Sequence, residues 1–236
     1  MKPLLLMCDN DGTLVDSEAA HFLSVSAVVS RNGGRPINKD EWWNHCSGKG
    51  HMKIWEWVSK RDDSFSVDKD DFIKQCSACY LKNIFSLKAK PGLYKALEAF
   101  NKATGVMSPV VSNTATHVVE QGLQATGLSV VTGDVYGADY FISRGIKTKP
   151  SPEPWIRIAA KYGVSGKDMG RVIIFEDSDS GCKSAKTSGA YVVQIRHHPN
   201  LQYMAPKSRY ADYYIGSNSD DLKKFTQKAI AGLILK

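Results

Sequence analysis

Two carboxylates stand one residue apart near the start of the chain, Asp9 and Asp11, and Gly12 and Thr13 follow them. They come directly after the short apolar run of residues 4–8. Like charges this close raise one pKa sharply unless a cation or a shared proton relieves the repulsion. A hard cation such as Mg²⁺ binds one or two carboxylates and keeps places for water and a substrate phosphate. The pair therefore favours metal-assisted phosphoryl transfer over the alternatives, a simple turn or a fragment of a calcium loop.

Two further polar pairs follow apolar runs later in the chain. Ser112 and Asn113 follow one run, and Glu176 and Asp177 follow another. In open α/β sheets, ligands bind at the carboxyl ends of the strands, so we expect these pairs to converge on one crevice. Two adjacent acids behind a buried strand are costly unless they are paired. We expect Asp177 to bind a metal directly, Glu176 to bind or support it, and Asp179 to face solvent or lie at a helix N-terminus.

A lysine lies in the stretch K-P-S-P-E-P, which begins at Lys149. Pro150 and Pro152 exclude a helix at this lysine and allow one to begin after it, so the sequence predicts that a rigid loop presents the amine. Lys147 is a nearby alternative, and the K-P-x-P pattern favours Lys149.

The motifs require a sheet that brings them together, and the apolar runs supply it. Buried parallel strands are predicted at residues 4–8, 106–111, 171–175 and 191–195. Helices are predicted between them, at 93–102, 115–126, 152–162 and 180–188. This alternation predicts an α/β protein with a Rossmann-like, three-layer α/β/α core around a parallel sheet.

Residues 17–88 differ in character from the rest of the chain. They lack strand-like runs and contain helical patterns and four tryptophans: Trp42, Trp43, Trp55 and Trp57. We interpret them as an inserted helical cap domain whose tryptophans form its core rather than a sugar-stacking platform. The predicted catalytic core consists of residues 1–16 and 89–236.

The composition limits the remaining possibilities. The chain has 236 residues and a net charge of +7, but its Lys and Arg residues are scattered, so we expect no nucleic-acid partner. No stretch suits a signal peptide or a membrane span, which predicts a cytoplasmic protein. Five cysteines then indicate free thiols. Cys76 and Cys79 are expected to be buried thiols on one helix face, because a structural zinc site needs four ligands and no second pair exists.

Taken together, the string D-N-D-G-T-L-V-D-S-E at residues 9–18 and the later S-N, K-P-S-P and E-D-S-x-x-G motifs resemble the haloacid dehalogenase superfamily. The likeness is to its phosphatases and β-phosphoglucomutase-like enzymes with a small helical cap. It implies that Asp9 is the nucleophile, which carries the phosphoryl group as an aspartyl-phosphate, and that Asp11 is the general acid and base. It implies that Ser112 holds the phosphoryl group and that Lys149 neutralises charge.

The resemblance also implies a cofactor and a substrate class. The cofactor is Mg²⁺, bound by Asp9, Glu176 and Asp177 and by the backbone carbonyl of Asp11. The substrate is a small phosphorylated metabolite, and the enzyme is expected to be a monomer or a weak homodimer. The cap closes over the site in such enzymes. The candidate substrate-binding residues are Gly12, Thr13 and Asn113 in the core and Glu18, His21, Lys49, His51 and Lys53 in the cap.

Three alternatives to a sugar-phosphate phosphatase remain open. A β-phosphoglucomutase-like mutase shares the motifs but needs a cap residue for a second phosphate, where this chain offers His51 or Lys53 in place of an arginine. A phosphonoacetaldehyde hydrolase would use Lys53 as a Schiff base, yet that family lacks the acid found here at Asp11. A non-enzymatic binding module would be expected to have a broken motif, and every motif is intact.

Overall fold

The computed structural model describes residues 1–199, 203–216 and 219–235. The chain divides into two compact units, Met1–Asp16 with Lys88–Lys236, and Ser17–Leu87. The predicted cap, residues 17–88, extends one residue further than the second unit.

The first unit is built on a parallel sheet. The strands of the described chain are β1 (Leu5–Cys8), β2 (Ser108–Val111), β3 (Thr132–Tyr136), β4 (Val172–Glu176), β5 (Tyr191–Ile195), β6 (His197–His198), β7 (Tyr203–Met204) and β8 (Tyr213–Ile215). Six of them form one sheet in the order β3-β2-β1-β4-β5-β8, while β6 and β7 form a separate antiparallel pair. Because all neighbours in the six-stranded sheet are parallel, their carboxyl ends lie along one edge.

The four predicted strands are present, with shorter N-terminal ends in three of them. The first begins at Leu5, the second at Ser108 and the third at Val172, each one or two residues later than expected. The sequence did not predict β3 and β8. Both are edge strands of the sheet.

Among the described residues of this unit, six α-helices complete the fold: α5 (Leu93–Thr104), α6 (Thr116–Ala125), α7 (Ala138–Ile142), α8 (Glu153–Lys161), α9 (Asp179–Thr187) and α10 (Ser219–Ile230). Alternate residues of a strand face opposite sides of the sheet. On one side Leu5 and Ile174 pack in a cluster with residues of α8 and α9, including Trp155 and Cys182. On the other side Phe175 contacts aromatic rings of α5 and α10, those of Phe100 and Phe225. The core is therefore the predicted three-layer α/β/α sandwich.

The second unit is helical. It contains α1 (Glu18–Arg31), α2 (Lys39–Glu41), a π-helical turn (Trp42–Cys46), α3 (His51–Arg61), α4 (Lys69–Lys82) and a 3₁₀ turn (Ile84–Ser86). Trp42 is part of its buried cluster. The other three tryptophans that were expected in the core of the cap pack against this cluster: Trp43, Trp55 and Trp57. Cys76 is buried and Cys79 half-buried on α4, and both are free thiols. Nowhere in the described chain is a helix both long enough and apolar enough to cross a membrane.

Candidate active site

Asp9 lies at the carboxyl end of the central strand β1. Its backbone N–H donates to the carbonyl of Phe175 at 2.9 Å, which extends the pairing of β1 with β4. The chain then turns back tightly, and the N–H groups of Thr13, Leu14 and Val15 all donate to the carbonyl of Asn10. This compact loop fixes the direction of the carboxylates that flank it.

Gly12 is required in this loop for two reasons. Its φ is +77°, in the left-handed region that favours glycine. A Cβ at this position would lie 2.1 Å from Oδ2 of Asp177, which leaves no space for any side chain. Gly12 therefore lets the loop after β1 approach the acids after β4.

Lys149 joins the ends of three strands through its ammonium group. Its Nζ donates to Oδ1 of Asp9 at 2.5 Å, to Oε1 of Glu176 at 2.9 Å and to the carbonyl of Val111 at 3.1 Å. Lys149 is buried, whereas the alternative Lys147 is exposed. The structure thus places Lys149 beside Asp9, as the K-P-x-P pattern favoured.

The charges at this point do not balance within the protein. Burial raises the pKa of Asp9 above its ordinary value; Lys149 lowers this pKa, and Glu176 and Asp11 raise it again. Burial alone lowers the pKa of Lys149, but Asp9 and Glu176 outweigh that effect and raise it. Lys149 therefore remains an ammonium, and one positive charge faces several acids. Such a cluster favours an additional cation.

Asp9, Glu176 and Asp177 each offer a carboxylate oxygen, and these oxygens lie within 4.8 Å of one another. All three residues are buried. A set of oxygen donors suits a hard cation such as Mg²⁺ rather than zinc, which favours nitrogen and sulfur. The residues present therefore fit the predicted ion.

The two acids at the carboxyl end of β4, Glu176 and Asp177, have different surroundings. Oε2 of Glu176 accepts from the N–H groups of Asp177 and Ser178 at 3.0 and 3.2 Å and from the Ser178 hydroxyl at 3.2 Å. Its other oxygen binds Lys149. Asp177 accepts a long hydrogen bond from the Thr13 hydroxyl, at 3.4 Å. Four donors already hold Glu176, which favours a supporting role for it and direct binding of a cation by Asp177. Asp179 lies in the first turn of α9.

The Asp11 side chain is held by two hydroxyl groups. Oδ2 accepts from Thr114 at 2.8 Å and from Ser112 at 3.3 Å, and the Thr114 N–H donates to the Ser112 hydroxyl at 3.0 Å. The amide of Asn113 donates to the carbonyl of Lys149 at 3.0 Å. Sequence reasoning missed Thr114, although its position two residues after Ser112 was visible. The segment after β2 thus orients both Asp11 and the Lys149 loop.

Two candidate residues of the second unit, Glu18 and His21, contact other side chains of that unit. Glu18 is buried, and its carboxylate accepts from Trp42 Nε1 at 3.1 Å and from the Ser47 hydroxyl at 2.6 Å. The His21 ring stacks on Tyr80, with 4.2 Å between the ring centres. Glu18 and His21 therefore have clear roles in the packing of the helices.

Lys49 and Lys53 are exposed, and His51 is half-buried at the start of α3. Their contacts with substrate, and those of Glu18 and His21, remain predictions.

The haloacid dehalogenase-like hydrolase family model matches residues 6–195. The chain belongs to the haloacid dehalogenase-like hydrolases. This hydrolase is 24% identical over 196 residues to (DL)-glycerol-3-phosphatase 2 of Arabidopsis thaliana. The match covers 79% of this chain and 77% of that protein.

Solved structures share the fold. A predicted phosphoglycolate phosphatase from Haemophilus somnus superposes with a TM-score of 0.77 and 21% identity, and the match covers 96% of this chain and 99% of that one. A haloacid dehalogenase-like protein of unknown function from Agrobacterium tumefaciens has a TM-score of 0.74 and 24% identity, and the match covers 95% and 97%. The fold predicted from the sequence is confirmed.

Proposed function

We propose that this hydrolase is a Mg²⁺-dependent phosphatase that cleaves a small organic phosphate through an aspartyl-phosphate on Asp9. The observation that carries the proposal is the buried Asp9 carboxylate, which lies 2.5 Å from the Lys149 ammonium in the same acidic cluster as Asp177. A carboxylate needs no base to become a nucleophile. It does need positive charge nearby, because it must approach a phosphate that is itself negative.

In the first step an oxygen of Asp9 attacks phosphorus, and the bond from phosphorus to the leaving oxygen breaks. Asp11 donates a proton to that oxygen, and the alcohol leaves. In the second step Asp11 takes a proton from water, whose oxygen attacks phosphorus and breaks the bond to Asp9. Inorganic phosphate leaves and the Asp9 carboxylate is restored. The two hydroxyl donors on Oδ2 of Asp11 hold this acid and base in a fixed orientation.

Lys149 keeps Asp9 oriented and offsets part of the negative charge in both steps. The Ser112 hydroxyl lies just after β2 and has one proton, which it can donate to a phosphoryl oxygen in place of Asp11, while Thr114 continues to hold Asp11. Mg²⁺, held by Asp9 and Asp177 with support from Glu176 and the carbonyl of Asp11, would supply further positive charge to the phosphoryl oxygens.

The proposed substrate is a phosphate monoester of a small polar metabolite, such as a sugar phosphate. The names of two similar proteins, a glycerol-3-phosphatase and a predicted phosphoglycolate phosphatase, support this class. The exposed Lys49 and Lys53 of the second unit are the proposed contacts for the anionic part of such a substrate.

A substrate panel tests the proposal. We expect the purified chain to release inorganic phosphate from at least one of glycerol 3-phosphate, phosphoglycolate and hexose phosphates when Mg²⁺ is present. Chelation and the Asp9→Asn substitution should each abolish release, whereas Asp63→Asn, at an exposed acid of the second unit, should leave it unchanged. Phosphate release that survives Asp9→Asn would contradict the proposal.

The same assay separates the alternatives. An isomerised product that depends on a bisphosphate activator would indicate a phosphomutase. Inactivation by borohydride, lost in Lys53→Arg, would indicate Schiff-base chemistry.

A further inference from the structure

A pair of buried polar side chains lies next to the acids of the candidate active site, and the proposed catalytic steps do not use it. Lys90 is 3% exposed and His198 is 1% exposed. Lys90 lies just after the point where the chain returns to the first unit. Its backbone N–H donates to the carbonyl of Leu14 at 2.9 Å. His198 belongs to β6. Such completely buried polar side chains are costly unless they are hydrogen-bonded or paired.

The Lys90 ammonium has three acceptors around it. Its Nζ lies 3.3 Å from Nδ1 of His198 and 3.9 Å from Oδ1 of Asp16, and it also donates to the carbonyl of His197. An ammonium group has three protons to donate and accepts none. In its contact with the imidazole ring, the lysine must therefore be the hydrogen-bond donor.

The contact with Lys90 determines the tautomer of His198. Since the lysine can only donate, Nδ1 must be the accepting nitrogen of a neutral ring. The ring proton then lies on Nε2. This assignment follows from the chemistry of the two partners, and it gives the opposite edge of the ring a partial positive charge.

The Nε2 edge faces the acid that the site offers to a metal. Nε2 lies 3.7 Å from Oδ2 of Asp177, which is longer than a hydrogen bond, so the N–H acts on the carboxylate as a nearby dipole. The missing side chain of Gly12 leaves room for this approach, because a Cβ there would lie 2.1 Å from Oδ2 and 3.2 Å from Cε1 of His198. On its other oxygen, Asp177 accepts from Thr13.

We propose that Lys90 and His198 are positioning residues: Lys90 sets the tautomer of His198, and His198 orients the Asp177 carboxylate for Mg²⁺. The inference rests on the proposed function for the identity of the ion. Groups that orient a metal ligand from behind commonly contribute about 10-fold to 100-fold to metal affinity. The pair is polar and buried, and the imidazole that Lys90 contacts faces the Asp177 carboxylate, which is the arrangement such a role requires.

The tautomer is tested first on the unaltered protein. A long-range ¹H–¹⁵N correlation spectrum distinguishes the two neutral forms of a histidine ring by the shifts of its nitrogens. We expect the His198 ring to carry its proton on Nε2, and this preference to weaken in Lys90→Met. A ring with the proton on Nδ1 would overturn the proposal, and this result does not depend on activity or on the folding of a variant.

Metal affinity is tested by calorimetric titration of the full chain with Mg²⁺, without substrate. We expect Lys90→Met and His198→Leu to weaken Mg²⁺ binding about 10-fold. His198→Gln should restore much of it, since the glutamine amide can place an N–H near the position of Nε2. Lys88→Met, at an exposed lysine two residues earlier, is the matched control and should bind as the wild type does.

The outcomes separate this inference from the proposed function. Wild-type affinity in Lys90→Met and His198→Leu would overturn the positioning role and leave the phosphatase intact. A weakening that His198→Gln does not relieve would also overturn it, because a general loss of packing would then explain the effect. Failure of the wild type to bind Mg²⁺ would overturn the metal site, while phosphate release by the wild type tests the phosphatase separately.

Discussion

Lys149 shows how a single buried residue can set the charge of a site. Its three protons have three acceptors, two of them carboxylates from different strands and the third the carbonyl of Val111. Removal of one partner from a buried ion pair leaves the other charged group without compensation, which costs more than the pair itself gains. The lysine should therefore matter for stability as well as for chemistry.

The Lys149→Met substitution tests this. We expect the free energy of unfolding without Mg²⁺ to fall by about 3–5 kcal/mol, because Asp9 and Glu176 remain buried without their cation. Urea unfolding followed by circular dichroism measures the change. Lys147→Met, at an exposed lysine on the same loop, is the control and should be close to neutral. Equal stability of the two variants would contradict the argument.

Thr114 offers a test of how Asp11 is oriented. We expect Thr114→Val to lower kcat by about 10-fold to 100-fold, since one hydrogen bond to a charged group contributes about 1.5–3 kcal/mol. Mg²⁺ affinity should not change, because Thr114 contacts Asp11 and the bond does not involve Asp177. Thr126→Val is the matched control, since within the described part of the chain that hydroxyl bonds only the carbonyls of Gly122 and Leu123 in α6. A fall in Mg²⁺ affinity with unchanged kcat would contradict this assignment.

At the scale of elements, the sequence predicts the central strands and misses those at the edges. The residues of β1 and β4 are all buried, and apart from the terminal Glu176 they form continuous apolar runs, which are visible in the sequence. The strand β3 reads T-G-D-V-Y and its middle residues are half-buried or exposed, so no apolar run reveals it. An edge strand needs only one buried side, and its pattern resembles that of a loop.

The same limit applies to the site. Asp9, Asp11, Lys149 and the acids after β4 belong to motifs at strand ends, and their type and order predict one location. Lys90 and His198 lie 108 residues apart in the sequence and belong to no motif. Their contact arises only from the three-dimensional packing, which local patterns do not contain.

Gly181 links the start of α9 to Glu176 and provides a test at this scale. At an exposed position inside a helix, replacement of Gly by Ala usually stabilises the folded protein by about 1 kcal/mol. Here a Cβ would lie 2.0 Å from Oε1 of Glu176, so we expect Gly181→Ala to destabilise the fold by about 1–3 kcal/mol and to displace the acid. Urea unfolding and Mg²⁺ titration measure the two effects. Gly170→Ala, where nothing lies within 4 Å of the new Cβ, should be tolerated. A stabilised Gly181→Ala would refute the explanation.

At the scale of the whole molecule, the candidate metal ligands and the proposed substrate contacts of the cap belong to different units. The first unit gathers residues from positions 9 to 177 at one edge of a parallel sheet, because every strand that carries them runs in the same direction. The second unit is inserted between β1 and β2 and has its own core and its own exposed lysines. The chemistry can be predicted from short motifs in the first unit. The proposed substrate contacts are side chains of the second, whose types follow no general pattern.

The position of the candidate metal ligands predicts which unit Mg²⁺ binding stabilises. All three residues of the buried acidic cluster belong to the first unit. A ligand that binds only the folded state stabilises it by RT ln(1 + [L]/Kd), about 2.7 kcal/mol when Mg²⁺ is present at 100 times its Kd. We expect urea unfolding to require more denaturant as Mg²⁺ increases, and the effect to be absent in Asp177→Asn.

Hydrogen exchange should show the added protection in β1 and β4. It will extend to α1, α3 and α4 only if the two units unfold together, since the ion has no predicted ligand among residues 17–87. Protection confined to the helical unit would contradict the assignment of the metal to the sheet edge.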